Sequence, residues 1–256
     1  DKKARKEVRE ILGYVDKFVF LSVMRNKGYQ KNFPSLFRAY RIFLENNPEA
    51  WERTILHVHA YPLEPQSIDL FELRDRFGLT NNVRFTFVKP TEDFEDITIC
   101  NERDKQAMIH QPNFKLNEKE MCRLYNMADC LVISSSGESF CLPVIEAQAC
   151  GLPCIMGDNS TGPELVGEPE AGLLCNVTQP IVNPLIADIF PVDVEDMAKC
   201  MERIYKDDEL RKKLSKNALK NAENYKWERI IPIWQGLISD IENNLYVDYG
   251  KGDLNV

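Results

Sequence analysis

The chain has 256 residues, 44% of them hydrophobic and 28% charged, with a formal net charge of −8 and a pI near 5.1. That suits one large α/β domain or two small ones, and the acidity argues against a general nucleic-acid binder, which needs a basic surface. No run approaches the roughly 18 apolar residues of a membrane span.

The opening stretch DKKARKEVREILGY is charged, lacks the apolar core of a signal peptide, and reads as a short helix entering the domain. Lys17–Met24 is a buried-strand candidate whose end meets the polar segment Arg25–Asn32. A helix follows from about Phe33 or Pro34 to Glu45, with Leu36, Phe37, Tyr40 and Leu44 at helical spacing, and Asn46-Asn47-Pro48 ends it. Arg53–His59 reads as a second strand, Ser67–Phe77 as a helix closed by Gly78, and Val83–Val88 as a third strand. Strands alternating with helices of this length favour a parallel sheet.

The stretch from Lys89 to Lys115 has no clear period and reads as an insertion, a flap or a partner contact. Asn117, with Glu120 three residues on, caps a helix running to Ala128. Next comes a compact unit. Cys130–Ser134 has the composition of a buried strand, Ser135–Ser139 is a polar turn, and a helix entered at Leu142–Pro143 runs to about Cys150 and stops at Gly151. Leu152–Met156 is the following strand. Loops beyond the carboxyl ends of such strands are where open α/β sheets bind ligands.

After Gly162-Pro163-Glu164 the chain offers a short strand at Leu173–Cys175 and an aperiodic stretch from Asn176 to Pro191. Helices are expected over Val194–Tyr205, Glu209–Tyr225 and Trp227 to about Asn244, the last broken or bent at Pro232, before a polar, frayed tail. The eight cysteines include no C-x-x-C pair, and most stand in apolar elements; they read as reduced, packed thiols of a cytosolic protein. His57, His59 and His110 form no metal-ligand spacing with acidic partners, and two N-x-T matches at Asn159 and Asn176 read as accidental. With no internal repeat or linker, residues 1–256 read as one domain.

Glu138-Ser139-Phe140-Cys141-Leu142, then Glu146, Ala147, Ala149, Cys150, Gly151, Pro153 and Ile155, and finally Gly162-Pro163-Glu164, carry a resemblance. Two glutamates separated by seven residues, in these surroundings, resemble the signature of retaining glycosyltransferases with two Rossmann-like domains, the glycogen-synthase-like and mannosyltransferase-like group 1 enzymes, often called family 4. A lone E-x7-E among 40 acidic residues would mean almost nothing; here the spacing, the flanking residues and the expected elements agree.

The resemblance covers roughly residues 10–245. It implies a Rossmann-like parallel sheet with helices on both faces, the C-terminal, donor-binding half of a GT-B enzyme. It also implies that helices 227–244 pack toward an N-terminal, acceptor-binding half that this chain lacks. By that resemblance Glu146 takes the ribose and Glu138 the donor-sugar hydroxyls. The backbone N–H groups of Phe140, Cys141 and Leu142, after Gly137, face phosphate or sugar at the helix entrance. Arg25 and Lys31 clamp the diphosphate, with Lys27 the substitute for Lys31. Ser160, Thr161 and Gly162 close over the donor, whereas Glu164 starts the next helix. Read without the family, Glu146 is equally a first-turn acid favoured by the helix dipole, Glu138 a solvated loop acid, and the basic residues ordinary turn charges.

This sequence departs from the pattern at Met24 and Asn32, where glycine is common, in a slightly long Arg–Lys gap, and at Cys141, also usually glycine. A Cβ at Cys141 is tolerable if the backbone there is ordinary; as a nucleophile it lacks a nearby histidine. The implied activity is transfer of a sugar from a UDP- or GDP-sugar to an acceptor, without an essential divalent metal. The implied place is the cytoplasm or the cytoplasmic face of a membrane, reached through the other half. A non-catalytic nucleotide-sugar-binding module and a nucleotide-sugar epimerase of the same architecture are the alternatives.

Overall fold

The computed structural model describes residues 2–88, 97–99 and 116–242. Chain order begins with helix α1 (Lys2–Leu12), strand β1 (Phe18–Val23), a single turn α2 (Gly28–Lys31) and helix α3 (Phe33–Asn46). It continues through α4 (Ala50–Arg53), β2 (Thr54–His59), α5 (Leu70–Arg76), β3 (Val83–Val88) and β4 (Ile97–Ile99). Then come α6 (Glu118–Met127), β5 (Cys130–Val132), α7 (Leu142–Ala149) and β6 (Cys154–Gly157). A π-helical turn at Pro163–Gly167 leads to β7 (Gly172–Cys175), the pair β8 (Ile181–Val182) and β9 (Asp188–Ile189), and helices α8 (Val194–Lys206), α9 (Asp208–Ala222) and α10 (Trp227–Glu242).

The main sheet has the order β4-β3-β2-β1-β5-β6-β7. Every pairing is parallel except β3 with β4. The strands are near-continuous apolar runs because both faces are covered: Val19, Phe20 and Leu21 of β1 and all of β5 are fully buried. Because βαβ crossovers are right-handed, the helices after β1 and β2 cover one face and the helix after β5, where the order reverses, covers the other. α3 packs against α8, and α7 against α9. This is the Rossmann-like layer order expected from the alternation of elements.

At the amino ends of the strands, Asp129 gathers Arg5 (2.6 Å), Arg9 (2.5 Å) and the backbone N–H of Val19 (2.8 Å), tying α1 to the sheet. The functional end is the opposite one.

Asn117 caps α6 by accepting from the N–H of Glu120, as its position suggests. Three expectations need correction. The last helix runs through Pro232 without a break, although proline removes one N–H donor there. The aperiodic stretch 176–191 contains a small antiparallel hairpin, β8–β9. The insertion expected over 89–115 contributes Ile97–Ile99 to the sheet edge; its remainder, with His110, and the tail after 242 lie outside the described residues. The seven described cysteines are free, no group of metal-ligating side chains occurs among the described residues, and no described helix is long and apolar enough to cross a membrane.

Candidate functional site

The order of the sheet reverses between β1 and β5, so the loops after these two strands diverge and leave a crevice. Three buried serines hold the loops in register. Ser134 Oγ donates to the carbonyls of Lys31 (3.0 Å) and Asn32 (3.1 Å), Ser136 Oγ donates to that of Tyr29 (3.2 Å), and the Ser136 N–H donates to that of Gln30 (2.8 Å). Ser135 donates to the sulfur of Met24. A stretch that reads as a polar turn is therefore a buried fastener. Its work is to fix α2, and with it Lys31, against the start of the loop that carries Glu138.

The result is close contact between two of the expected site residues. Lys31 Nζ lies 2.5 Å from Glu138 Oε1, with the lysine side chain 17% and the glutamate 9% exposed. The backbone N–H of Glu138 donates to Ser160 Oγ (3.0 Å), and Ser160 in turn donates to Asn159 Oδ1 (3.0 Å). The segment at Ser160 thus meets the Glu138 loop directly. Thr161 Oγ1 is buried without a hydrogen-bond partner among the described residues. Gly162 has a packing reason to be glycine: a Cβ there would come within 2.2 Å of the Gly157 carbonyl oxygen. Gly137 has none, since a Cβ on it would meet nothing within 4 Å. Glu164 sits in the π-helical turn, as its assignment to a helix start anticipates.

Cys141 is the entry residue of α7 and adopts φ 72°, ψ 63°. The condition for an easily tolerated Cβ, an ordinary backbone, is therefore not met. A left-handed position suits the glycine that the resemblance leads one to expect there, and of the other two such departures Asn32 is also left-handed, at φ 49°, whereas Met24 is not. Asparagine tolerates that region and caps α3 through the N–H of Ser35, whereas cysteine bears the strain. Burial pushes the Cys141 thiol up to about 12, the Glu138 charge adding to the effect, so it is no nucleophile at neutral pH. Replacing Cys141 by glycine should leave stability within about 1 kcal/mol, lost burial offsetting relieved strain. Replacing it by β-branched valine should cost about 2–3 kcal/mol. Urea unfolding of both variants checks this; a valine variant as stable as the parent would refute it.

Phe140 packs edge-on against Tyr225, ring centroids 5.6 Å apart, while Leu142 is exposed at the helix entrance. One turn further on, Glu146 Oε2 accepts a 2.6 Å hydrogen bond from Tyr125 Oη of α6. Burial and the adjacent carboxylate push the Tyr125 phenol well above its ordinary value, so it stays a donor. The pair leaves Oε1 of Glu146 for another donor. Tyr125 could not be singled out from sequence, because nothing in its own helix announces a partner on α7.

Arg25 does not join Lys31. Its guanidinium turns to Glu64, at 2.6 Å from Nη2 and 3.2 Å from Nε, and the side chain is 69% exposed. Lys27 borders the same crevice as Glu138. Together with Tyr29, Ser139, Ser160 and Leu185 they line a cleft of about 610 Å³. Leu185 brings the β8–β9 hairpin into the site as one wall, anchored where the N–H of Phe190 donates to the Ser136 carbonyl (2.8 Å) and Asn159 Nδ2 to the Phe190 carbonyl (2.9 Å). The sequence signal for this wall was Asn183-Pro184, a turn-forming pair between short apolar runs. The cleft therefore offers the Lys27 cation, the Glu138 carboxylate and hydroxyls, a set suited to a ligand with both anionic and hydroxyl groups.

Residues 98–182 match the model of the family described as glycosyl transferases group 1. A D-inositol 3-phosphate glycosyltransferase of Saccharomonospora viridis is 30% identical over 111 residues, 43% of this chain and 22% of the relative. The first curated relatives are spanned over only 22% to 64% of their length. Among solved structures, sucrose-phosphate synthase from Thermosynechococcus elongatus superposes with a TM-score of 0.68 at 21% identity, over 95% of this chain and 49% of that one. Anabaena HepE in complex with UDP and glucose gives 0.65 at 16% identity, over 95% and 53%. The fold is thus similar to that of these structures, and the match to the group 1 glycosyl transferase family lies in residues 98–182 of this chain.

Proposed function

We propose that this chain is the C-terminal, donor half of a group 1, GT-B glycosyltransferase, a retaining hexosyltransferase, and that it binds a nucleotide-diphosphate sugar, a UDP- or GDP-sugar. The observation that carries the reading is the contact of Lys31 with Glu138 beside the entrance of the helix that holds Glu146. Lys31 releases Glu138 to meet the diphosphate, Glu138 accepts from sugar hydroxyls, and Glu146 accepts from the ribose. The N–H groups of Phe140, Cys141 and Leu142 meet phosphate or sugar; Gly137, Ser160, Thr161 and Gly162 border them. The UDP and glucose in the Anabaena structure of the same fold support a nucleotide sugar as ligand.

Lys31, with Arg25 once it leaves Glu64, supplies the positive charge on which the departing phosphate settles, so no divalent metal is needed. Retention follows from attack on the sugar face that the phosphate leaves, the phosphate itself taking the acceptor proton. The acceptor is held by an N-terminal domain. Helix α10 is the surface that meets it: no residue of the helix is buried, and Trp227 and Trp234 are 71% and 60% exposed. The chain alone binds donor but does not transfer it, because domain closure is what excludes water and presents the acceptor.

Titration calorimetry with UDP, GDP and ADP and their sugar conjugates, with and without magnesium, tests this. One nucleotide should bind selectively and independently of magnesium, and Glu146→Ala and Arg25→Ala should weaken it. A folded chain that binds none of them would overturn the reading; rapid transfer by the chain alone would overturn the two-domain division of labour. Tyr125→Phe should weaken the same nucleotide about fivefold, roughly 1 kcal/mol, by freeing the Glu146 carboxylate to rotate. Unchanged affinity would mean that the tyrosine is only packed there.

A further inference from the structure

Cys122 and Cys150 lie outside the cleft, on the two helices that hold Tyr125 and Glu146. Cys122 is exposed on α6; Cys150 is half-buried at the end of α7. Asn126 Nδ2 donates to both sulfurs, at 3.3 Å and 3.7 Å, and the two thiols also interact with each other. Cys130, Cys154, Cys175 and Cys200 instead give their thiols to backbone carbonyls inside the core. Cys150 further borders a second cavity of about 270 Å³, together with Arg5, Asn126 and Arg211. Arg5 and Arg211 are already paired with Asp129 and Asp208, so this cavity is a route to the sulfur rather than an anion site.

We propose that Cys122 and Cys150 form a redox modification site that a small disulfide, such as glutathione disulfide, closes into an intramolecular disulfide. The exposed Cys122 thiolate attacks one sulfur of the oxidant, breaking its S–S bond and expelling one glutathione thiolate, which takes up a proton. The mixed disulfide on Cys122 is then attacked by the Cys150 thiolate, which expels the second glutathione. The sum is two thiols plus one glutathione disulfide going to one protein disulfide plus two glutathiones, a two-electron oxidation. While Cys122 is a thiol its proximity adds to the burial that pushes Cys150 up to about 12; once Cys122 is capped that contribution is gone. The closed bond would tie α6 to α7 beside the Tyr125–Glu146 hydrogen bond.

The test is to incubate the full chain with glutathione disulfide, trap free thiols with an alkylating agent, and read intact mass and cross-linked peptides. The parent should lose two alkylatable thiols, retain no glutathione, yield a Cys122–Cys150 cross-link and revert with dithiothreitol. Cys150→Ser should instead trap one glutathione on Cys122, and Cys122→Ser, at an exposed position, should lose no thiol; circular dichroism verifies that both are folded. A lasting glutathione adduct on the parent, a cross-link to another cysteine, or no thiol loss while a free dithiol is oxidised alongside would each overturn the proposal.

Discussion

Lys31→Ala is expected to weaken nucleoside-diphosphate binding about 10- to 100-fold, the loss of one charge-assisted contact of about 1.5–3 kcal/mol. The same substitution should also lower stability by about 2–3 kcal/mol, because Glu138, only 9% exposed, is left without its cation. The two effects separate in the double variant Lys31→Ala/Glu138→Gln. Removing both charges leaves no buried ion uncompensated, so stability should return, while the phosphate still finds no ammonium and affinity should stay low. Calorimetry and urea unfolding on the three proteins decide the matter. If Lys31→Ala loses stability but binds as the parent does, the lysine is only a counter-ion for Glu138. Arg25→Ala should do less than Lys31→Ala to both quantities, since Arg25 is mostly exposed and engaged at Glu64, where an ion pair contributes little.

What could be read in the chain and what could not divide along a physical line. The buried strands announce themselves because a parallel sheet covered on both faces needs uninterrupted apolar runs, and Val83–Val88 is where the sequence expects it. The Asn117 cap and the entry of α7 at Leu142–Pro143 are equally local, since capping involves residues within one turn of each other. Glu138 and Glu146 were visible because a spacing carries them. Tyr125, by contrast, reaches Glu146 across 21 positions, and the serine fastener joins residues more than 100 positions apart. No period or spacing encodes such contacts; only the sheet order brings them together. Cys141 is a third kind of case. Its side chain suggests nothing unusual, and the left-handed turn is imposed by the loop that must deliver the chain from β5 to the start of α7.

Acidification should unfold this protein earlier than its carboxylates alone require, and His57 is the reason. Its ring is fully buried, with Nδ1 2.9 Å from Tyr14 Oη and Nε2 2.8 Å from Thr86 Oγ1, and burial, with the charges of His59 and Arg84 adding to it, holds it down at about 3. His59, two residues along the same strand, is lowered by burial to about 4. The sign follows from the proton count. Between the unfolded value near 6.5 and these folded values, the unfolded chain binds protons that the native ring refuses, so stability is complete above about pH 6.5 and falls as the pH drops toward 3. Each such histidine contributes up to about 1.4 kcal/mol per pH unit in that window, so His57 alone should remove on the order of 2–3 kcal/mol by pH 4.5. His57→Gln keeps hydrogen-bonding groups for Tyr14 and Thr86 but cannot titrate. Urea unfolding at pH 7 and pH 4.5 should therefore show a smaller acid loss in the variant than in the parent, by about that amount. Equal losses would mean that His57 is protonated in the native state and that its two hydroxyl partners accept from the charged ring, which would make the Tyr14–His57–Thr86 chain an acid-tolerant part of the core.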